Sequence, residues 1–268
     1  MRIPAIRGVI DRRILANYRV QPDVLARILP RPFRPKLVGG FGVAGICLIR
    51  LKAIRPRFVP SFLGISSENA AHRIAVEWDD EGETREGVYI PRRDTSSRLN
   101  ALAGGRLFPG VHHRGRFRIA EADGRYGVEM DSAGARVVVE GRVTSKWPVD
   151  SMFDSLETAS RFFERGSLGY SPSRTGCAFD GLELCTRDWH VEPLAVEWIE
   201  SSFFDDASFF PPGTVKFDCA LLMRGIRHEW RGRESLACCQ PGAFTPSPAE
   251  SPEAARGRSI PARRASAC

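Results

Sequence analysis

The sequence predicts an α+β domain in which antiparallel strands outnumber a few covering helices. Three observations predict it. Short apolar runs recur along the chain, bounded by turn residues such as Asp79-Asp80-Glu81-Gly82, Asp123-Gly124 and Ser132-Ala133-Gly134. Only three segments carry helix caps and helical periodicity. No internal repeat or linker divides the chain before residue 240, so residues 1–239 read as one domain.

The first helix spans 22–29. Pro22 suits its first position, Asp23 favours the positive N-terminus, Val24, Leu25, Ile28 and Leu29 form an apolar face, and Pro30 and Pro32 stop it. Residues 41–54 read as one or two central strands, because apolar residues fill both faces. Strands follow at 72–78, 87–92, 115–121, 126–131 and 136–144, then near 182–191, 194–204 and 215–223. Strands at this spacing suggest a barrel or a strongly curved sheet. A second helix is expected over 95–103, capped by Asp94 and ended by Gly104-Gly105. A third is expected over 152–165, with Ser151 as N-cap, Asp154 at the capping-box position and Gly166 at its end. Its stripe of Phe153, Leu156, Ala159, Phe162 and Phe163 reads as core packing. Residues 240–268, rich in Pro, Ala, Ser and Arg, read as a disordered tail that cannot bury enough surface to offset its ordering entropy.

The 268 residues carry a net charge of +7, and only Lys36, Lys52, Lys146 and Lys216 among the cations are lysines. A basic balance permits an anionic substrate or nucleic acid without demonstrating either. The longest apolar stretch, 41–49, is shorter than the ~20 residues that span a bilayer. The N-terminus has no sustained apolar run of the kind a secretory signal needs. Seven cysteines without a C-x-x-C fit a reducing compartment, so a cytoplasmic, non-membrane protein is expected. Cys47 and Cys219, inside apolar runs, read as small buried hydrophobes. The vicinal Cys238–Cys239 is either a redox pair or an accident near the domain edge.

Candidate chemistry sits in three places. In GVHHRGRFRI, alternation puts His113, Phe117 and Ile119 on one face, and His112, Arg114, Arg116 and Arg118 on the other. The apolar pair takes His113 inward, as an acid/base, a hydrogen-bond donor or a satisfied structural histidine. The arginines form an outer stripe, solvated or phosphate-binding. In AHRIAVEW, Arg73 and Glu77 share a face and are either a lumenal polar pair or part of a solvent face. The segment from Arg92 to His113 gathers Thr95, Ser96, Ser97, Asn100, Arg92, Arg93, Arg98 and Arg106 around a helix start, which favours an anion if it is more than a capped surface helix. There is no Walker A loop, G-x-G-x-x-G, G-x-S-x-G or H-E-x-x-H. Adjacent His112 and His113 point apart on a strand, so neither a metal site nor a cofactor is expected.

The ordered segments YRVQPDVLARILP, FGVAGICLIRLKAIRPRFVP, GVYIPRRDTSSRLNALAGGRLFPGVHHRGRF, RFFERGSLGYSPS, WHVEPLAVEWIESSFF and FPPGTVKFDCALLMRGIRHEW together resemble the uncharacterised YqjF-like family, distantly similar to acetoacetate decarboxylase, over about residues 10–235. The resemblance implies a curved antiparallel sheet closing into a cone-shaped β-barrel around a cavity, with helices outside. It carries over no activity. In acetoacetate decarboxylases a buried lysine forms a Schiff base with the keto acid. The stretch that corresponds here, Ala103 to Phe108, has Arg106 and no lysine, and a guanidinium stays protonated and cannot form that imine.

Three functional readings result. The first is a cavity protein binding a small organic acid or carbonyl compound through His113, Arg106, Arg98, Ser97, Glu77 and Arg73. The second is a non-covalent lyase or hydratase in the same cavity, using His113 or Glu77 as acid/base. The third, and least expected, is a basic module binding nucleic acid through Arg114, Arg116 and Arg118. The sequence leaves oligomeric state open.

Overall fold

The computed structural model describes residues 5–104 and 109–237. Arg106, Cys238, Cys239 and the 240–268 tail lie outside the described residues.

The chain starts with a strand that the sequence reading missed, β1 (Ile6–Val20). Charged Arg7, Asp11, Arg12, Arg13 and Arg19 break its apolar pattern, yet it is central, paired on both sides. The first helix, α1 (Pro22–Ile28), follows where expected, with proline in its first turn. Short β2 (Arg34–Pro35) and β3 (Leu37–Val38) lead to β4 (Phe41–Pro56), whose two buried faces match the predicted central strand. Then come β5 (Ile65–Asp80), β6 (Glu83–Thr95), α2 (Arg98–Ala103), β7 (His112–Ala122), β8 (Arg125–Ser132) and β9 (Ala135–Val143). The remainder is α3 (Leu156–Arg165), β10 (Leu168–Pro172), β11 (Ala178–Thr186), β12 (Glu192–Ser201) and β13 (Val215–Ala237). With thirteen strands and three short α-helices among the described residues, the fold is mostly β rather than evenly α+β.

The pairing closes on itself. The order β6–β7–β8–β9–β12–β13–β1–β4–β5 returns to β6 through a β5–β6 pair. A second closure, through a β11–β13 pair, links β6–β10–β11–β13–β1–β4–β5. The result is one large sheet in a ring-like arrangement, with β13, β1, β4, β5 and β6 shared by a larger and a smaller ring. The expected antiparallel pairing needs one correction, because β6 pairs in parallel with both β7 and β10.

The shared strands separate two interiors. One apolar cluster takes Ile14, Ile46, Ile74, Tyr89, Met130, Val139 and Leu222 from strands all round the larger ring, so that ring is filled. Each such fully buried side chain contributes roughly 1.5–3 kcal/mol. The opposite faces carry a second cluster, in which Leu15, Val43, Leu221 and Met223 meet Phe153, Ala159 and Phe163 at α3. At Gly225, whose φ of 68° favours glycine, β13 changes phase, so that Ile226 rejoins the cluster holding Leu221 and Met223.

Two helix starts differ from expectation for one reason. Asp94 does not cap α2, because it lies in β6 and binds Arg92; Ser97 caps instead, accepting from Asn100 N at 3.2 Å. Likewise Ser151 donates to Asp218 at 2.7 Å, and Ser155 caps α3 through Thr158 N. In both places a polar partner outside the helix outcompetes the local cap. No helix among the described residues is long and apolar enough to cross a membrane.

Candidate functional site

The cavity lies in the smaller ring. Its volume is about 160 Å³, and all seven strands of that ring contribute to its wall, with Asn100 of α2 and His112 of β7 at one end. Ile49, Leu51, Ile54, Val88, Ile90 and Leu182 make the wall largely apolar. Asn69 is fixed there. Its Nδ2 donates to Ser67 Oγ at 3.0 Å and its Oδ1 accepts from Thr95 Oγ1 at 2.7 Å.

Strand alternation decides which polar groups reach the cavity. Four pairs of adjacent polar residues are split between the two sides of the sheet. Arg12 is buried against Glu68 at 2.5 Å and Glu121 at 2.6 Å, while Arg13 lines the cavity. His72 meets Ser201 Oγ at 3.3 Å, and Arg73 lines the cavity. Arg92 holds Asp94 through two contacts of 3.0 Å, and Arg93 lines the cavity. On β7 the order reverses. His112 lines the cavity, and His113 faces Arg92 and Asp94.

The three cavity arginines share one property: among the described residues none of them forms an ion pair. Arg13 Nε donates only to Cys47 Sγ at 3.3 Å, and its Nη1 approaches Met223 Sδ at 3.9 Å. Arg73, 4% exposed, donates to Asn17 Oδ1 and lies over the Phe163 ring at 4.6 Å, but its Nε has no partner. Arg93 Nε donates to Ser171 Oγ at 3.0 Å. Burial lowers Arg73 and Arg93 to about 10, which leaves both protonated at neutral pH. The one carboxylate among the described lining residues, Asp94, is already committed to Arg92. The cavity therefore holds uncompensated positive charge in an apolar wall. Burial, then the Arg93 charge, lowers His112 to about 4, so that imidazole is neutral.

The predicted site residues are dispersed. Arg73 lines the cavity. His113 turns toward the core as expected, but the cavity is on the other side of β7, which corrects its assignment to the cavity. Glu77 pairs with Arg34 at 3.6 Å instead of with Arg73. Four residues along a strand separate two side chains by about 13 Å, too far for contact. Ser97 is spent on its cap, and exposed Arg98 lies in a surface groove with Arg114, Arg116 and Arg118. Arg118 is itself paired with Glu129 at 3.0 Å. Sequence reasoning missed Arg13, Cys47, Asn69 and His112. The signal available was the doublet itself: on a strand buried on both sides, two adjacent polar residues must face two different interiors.

All four lysines are described, and none lines the cavity. Lys36 pairs with Glu86, Lys52 with Asp11 at 2.9 Å and Lys216 with Asp150 at 3.3 Å, and Lys146 is exposed. Among the described residues no cluster of His, Cys, Asp or Glu could hold a metal ion.

Comparison with solved structures gives the fold. An acetoacetate decarboxylase-like enzyme from Sphingomonas wittichii RW1 matches with a TM-score of 0.59 at 13% identity, over 88% of this chain and 93% of that one. Acetoacetate decarboxylase from Legionella pneumophila matches with a TM-score of 0.55 at 12% identity, over 86% and 87%. The enduracididine biosynthesis enzyme MppR, complexed with pyruvate, matches with a TM-score of 0.53 at 13% identity, over 87% and 89%. No curated protein sequence matches the chain. The profile of an uncharacterised conserved protein family, DUF2071, matches residues 10–212, and the chain belongs to that family, with an acetoacetate decarboxylase-like fold.

Proposed function

We propose that the protein binds a small organic anion, a short carboxylic or keto acid, in the smaller-ring cavity, and does so without an imine. The observation that carries this reading is the trio Arg13, Arg73 and Arg93, which line one cavity whose one carboxylate among the described residues, Asp94, is taken by Arg92. A buried charge without a partner costs several kcal/mol, so an arginine kept in that state is supported best by a partner that arrives from outside. Size agrees: a cavity of roughly 150 Å³ admits a guest of about six non-hydrogen atoms, the size of pyruvate. MppR, of the same fold, carries pyruvate in its complex. In this reading the smaller ring is the cone-shaped barrel that the resemblance implies, and the cavity is its interior. None of the four lysines lines the cavity, which argues against Schiff-base chemistry.

The other readings fit less well. A lyase or hydratase needs a proton-transfer group at the wall, and His112 near pKa 4 is a weak base. A nucleic-acid surface would rest on Arg114, Arg116 and Arg118, the last of which is committed to Glu129.

Thermal denaturation tests the proposal. Pyruvate and similar small carboxylates should raise Tm, the uncharged pyruvamide should not, and salt should weaken the shift. Equal shifts from acid and amide, or none from any small carboxylate, would overturn it. Borohydride treatment with pyruvate should leave the protein mass unchanged; a reduced adduct on a lysine would restore imine chemistry.

A further inference from the structure

Cys47 lines the same cavity from the middle of β4, where its backbone pairs with Leu15 on one side and Ala71 on the other. A central strand holds the sulfur in a fixed place. It is 7% exposed, so the cavity is its route to a reagent. Three arginines line the cavity with it, and the one described carboxylate there, Asp94, is held by Arg92. Arg13 Nε donates to Sγ at 3.3 Å, and Arg73 and Arg93 both interact electrostatically with the same sulfur. The unpartnered Nε of Arg73, on a side chain more than nine-tenths buried, marks the same cavity as short of an acceptor. Nucleophilic cysteines occupy electropositive surroundings of this kind, whereas structural ones sit in apolar or acidic ones. Cys219 differs in place: it is 1% exposed and lies outside the cavity, and although it too interacts with Arg73, burial together with Asp218 raises its thiol.

Resting on the anion-binding reading, we propose that Cys47 is a covalent site, whose sulfur adds to an electrophilic carbon next to the carboxylate that the arginines hold. With an α-keto acid, the S–C bond forms as the carbonyl π pair moves to oxygen. That oxygen takes up the proton the thiol released, and the product is a reversible thiohemiketal. With an α-halo acid, the S–C bond forms as the carbon–halogen bond breaks. Halide leaves, the thiol proton passes to water, and the thioether is permanent. Neither step needs an oxidant or reductant.

The test uses the full, unmodified chain and two reagents with the same reactive carbon: iodoacetate, which carries a carboxylate, and uncharged iodoacetamide. Labelling is followed in time by peptide mass spectrometry, with exposed Cys177 as internal reference. The iodoacetate-to-iodoacetamide rate ratio at Cys47 should exceed that at Cys177 by about tenfold or more, the size of a local charge effect on encounter. Excess pyruvate should slow labelling at Cys47 and leave Cys177 unchanged. Equal ratios at the two sites, or no labelling of Cys47 by either reagent, would overturn the proposal. The two readings fail separately. If carboxylates raise Tm in both the wild type and C47S while Cys47 shows no preference for iodoacetate, anion binding stands and the covalent site falls. If no carboxylate raises Tm and Cys47 shows no preference, both fall.

Discussion

Arg73→Met separates a cation kept for a guest from one kept for the fold. The side chain is 4% exposed, and burial lowers its pKa from 12.5 to about 10. A depression of that size disfavours the charged form in the folded state by roughly 3 kcal/mol. The sign is destabilising: the penalty is complete at any pH below 10, and is relieved only as pH rises from 10 towards 12.5. Methionine removes the charge at similar length. It also removes the hydrogen bond to Asn17 Oδ1, worth about 1.5–3 kcal/mol for a charged donor. The two effects oppose each other, so the ligand-free variant should lie within about 1 kcal/mol of the wild type. Breaking a buried ion pair would instead cost about 3–5 kcal/mol. Binding should respond differently. A lost charge-assisted contact of about 1.5–3 kcal/mol weakens Kd by roughly 10- to 150-fold. At about 100 times Kd the wild type gains about 2.7 kcal/mol from its ligand, and a hundredfold weaker variant gains about 0.4 kcal/mol at the same concentration. In a fold of this size that is a Tm shift of about 5–10 °C against about 1 °C. Thermal and urea denaturation with and without pyruvate read both numbers. A ligand-free loss of several kcal/mol, or an undiminished pyruvate shift, would refute the reasoning.

Asp94→Ala should behave in the opposite way. It leaves Arg92 buried without its carboxylate, and urea denaturation should register a loss of about 3–5 kcal/mol; a loss below 1 kcal/mol would contradict the assignment. Burial holds His72, His112 and His228 near pKa 4, against 6.5 unfolded. Stability should therefore be complete above pH 6.5 and fall as pH drops towards 4, because the unfolded chain takes up protons that the fold refuses. His228, 5% exposed with its ring 4.5 Å from Trp230, is one such contributor. His228→Phe should flatten that fall by about 1.4 kcal/mol per pH unit, and an unchanged slope across pH 7, 6 and 5 would count against it. Gly45→Ala should cost about 1–3 kcal/mol by chemical denaturation, because its Cβ would stand 2.4 Å from Ala16 O where β1 meets β4. A neutral result would mean that the two strands separate without penalty.

Much of the strand content was legible in the sequence, because turn residues and apolar alternation are local signals. The double-sided burial of β4 was readable in Phe41 to Ile54, and α1 in its proline start and apolar face. β1 was not, since its arginines look solvent-exposed until Glu68, Glu121 and Cys47 arrive from distant segments. That the stretch from Ala103 to Phe108 holds an arginine and no lysine was also readable, but whether one of the four lysines reaches the cavity from elsewhere was not.

The sequence by itself determined that strands dominate, that arginine carries the positive charge, and that adjacent polar residues on one strand part company. Only the tertiary structure decided which face of each strand meets the filled ring and which meets the cavity. Alternation sets a relation between neighbours, not an absolute direction. The direction is set by strand pairings across more than two hundred residues, such as Ile6 with Trp230. That is why His112 rather than His113, and Arg13, Arg73 and Arg93 together, came to face the same small space.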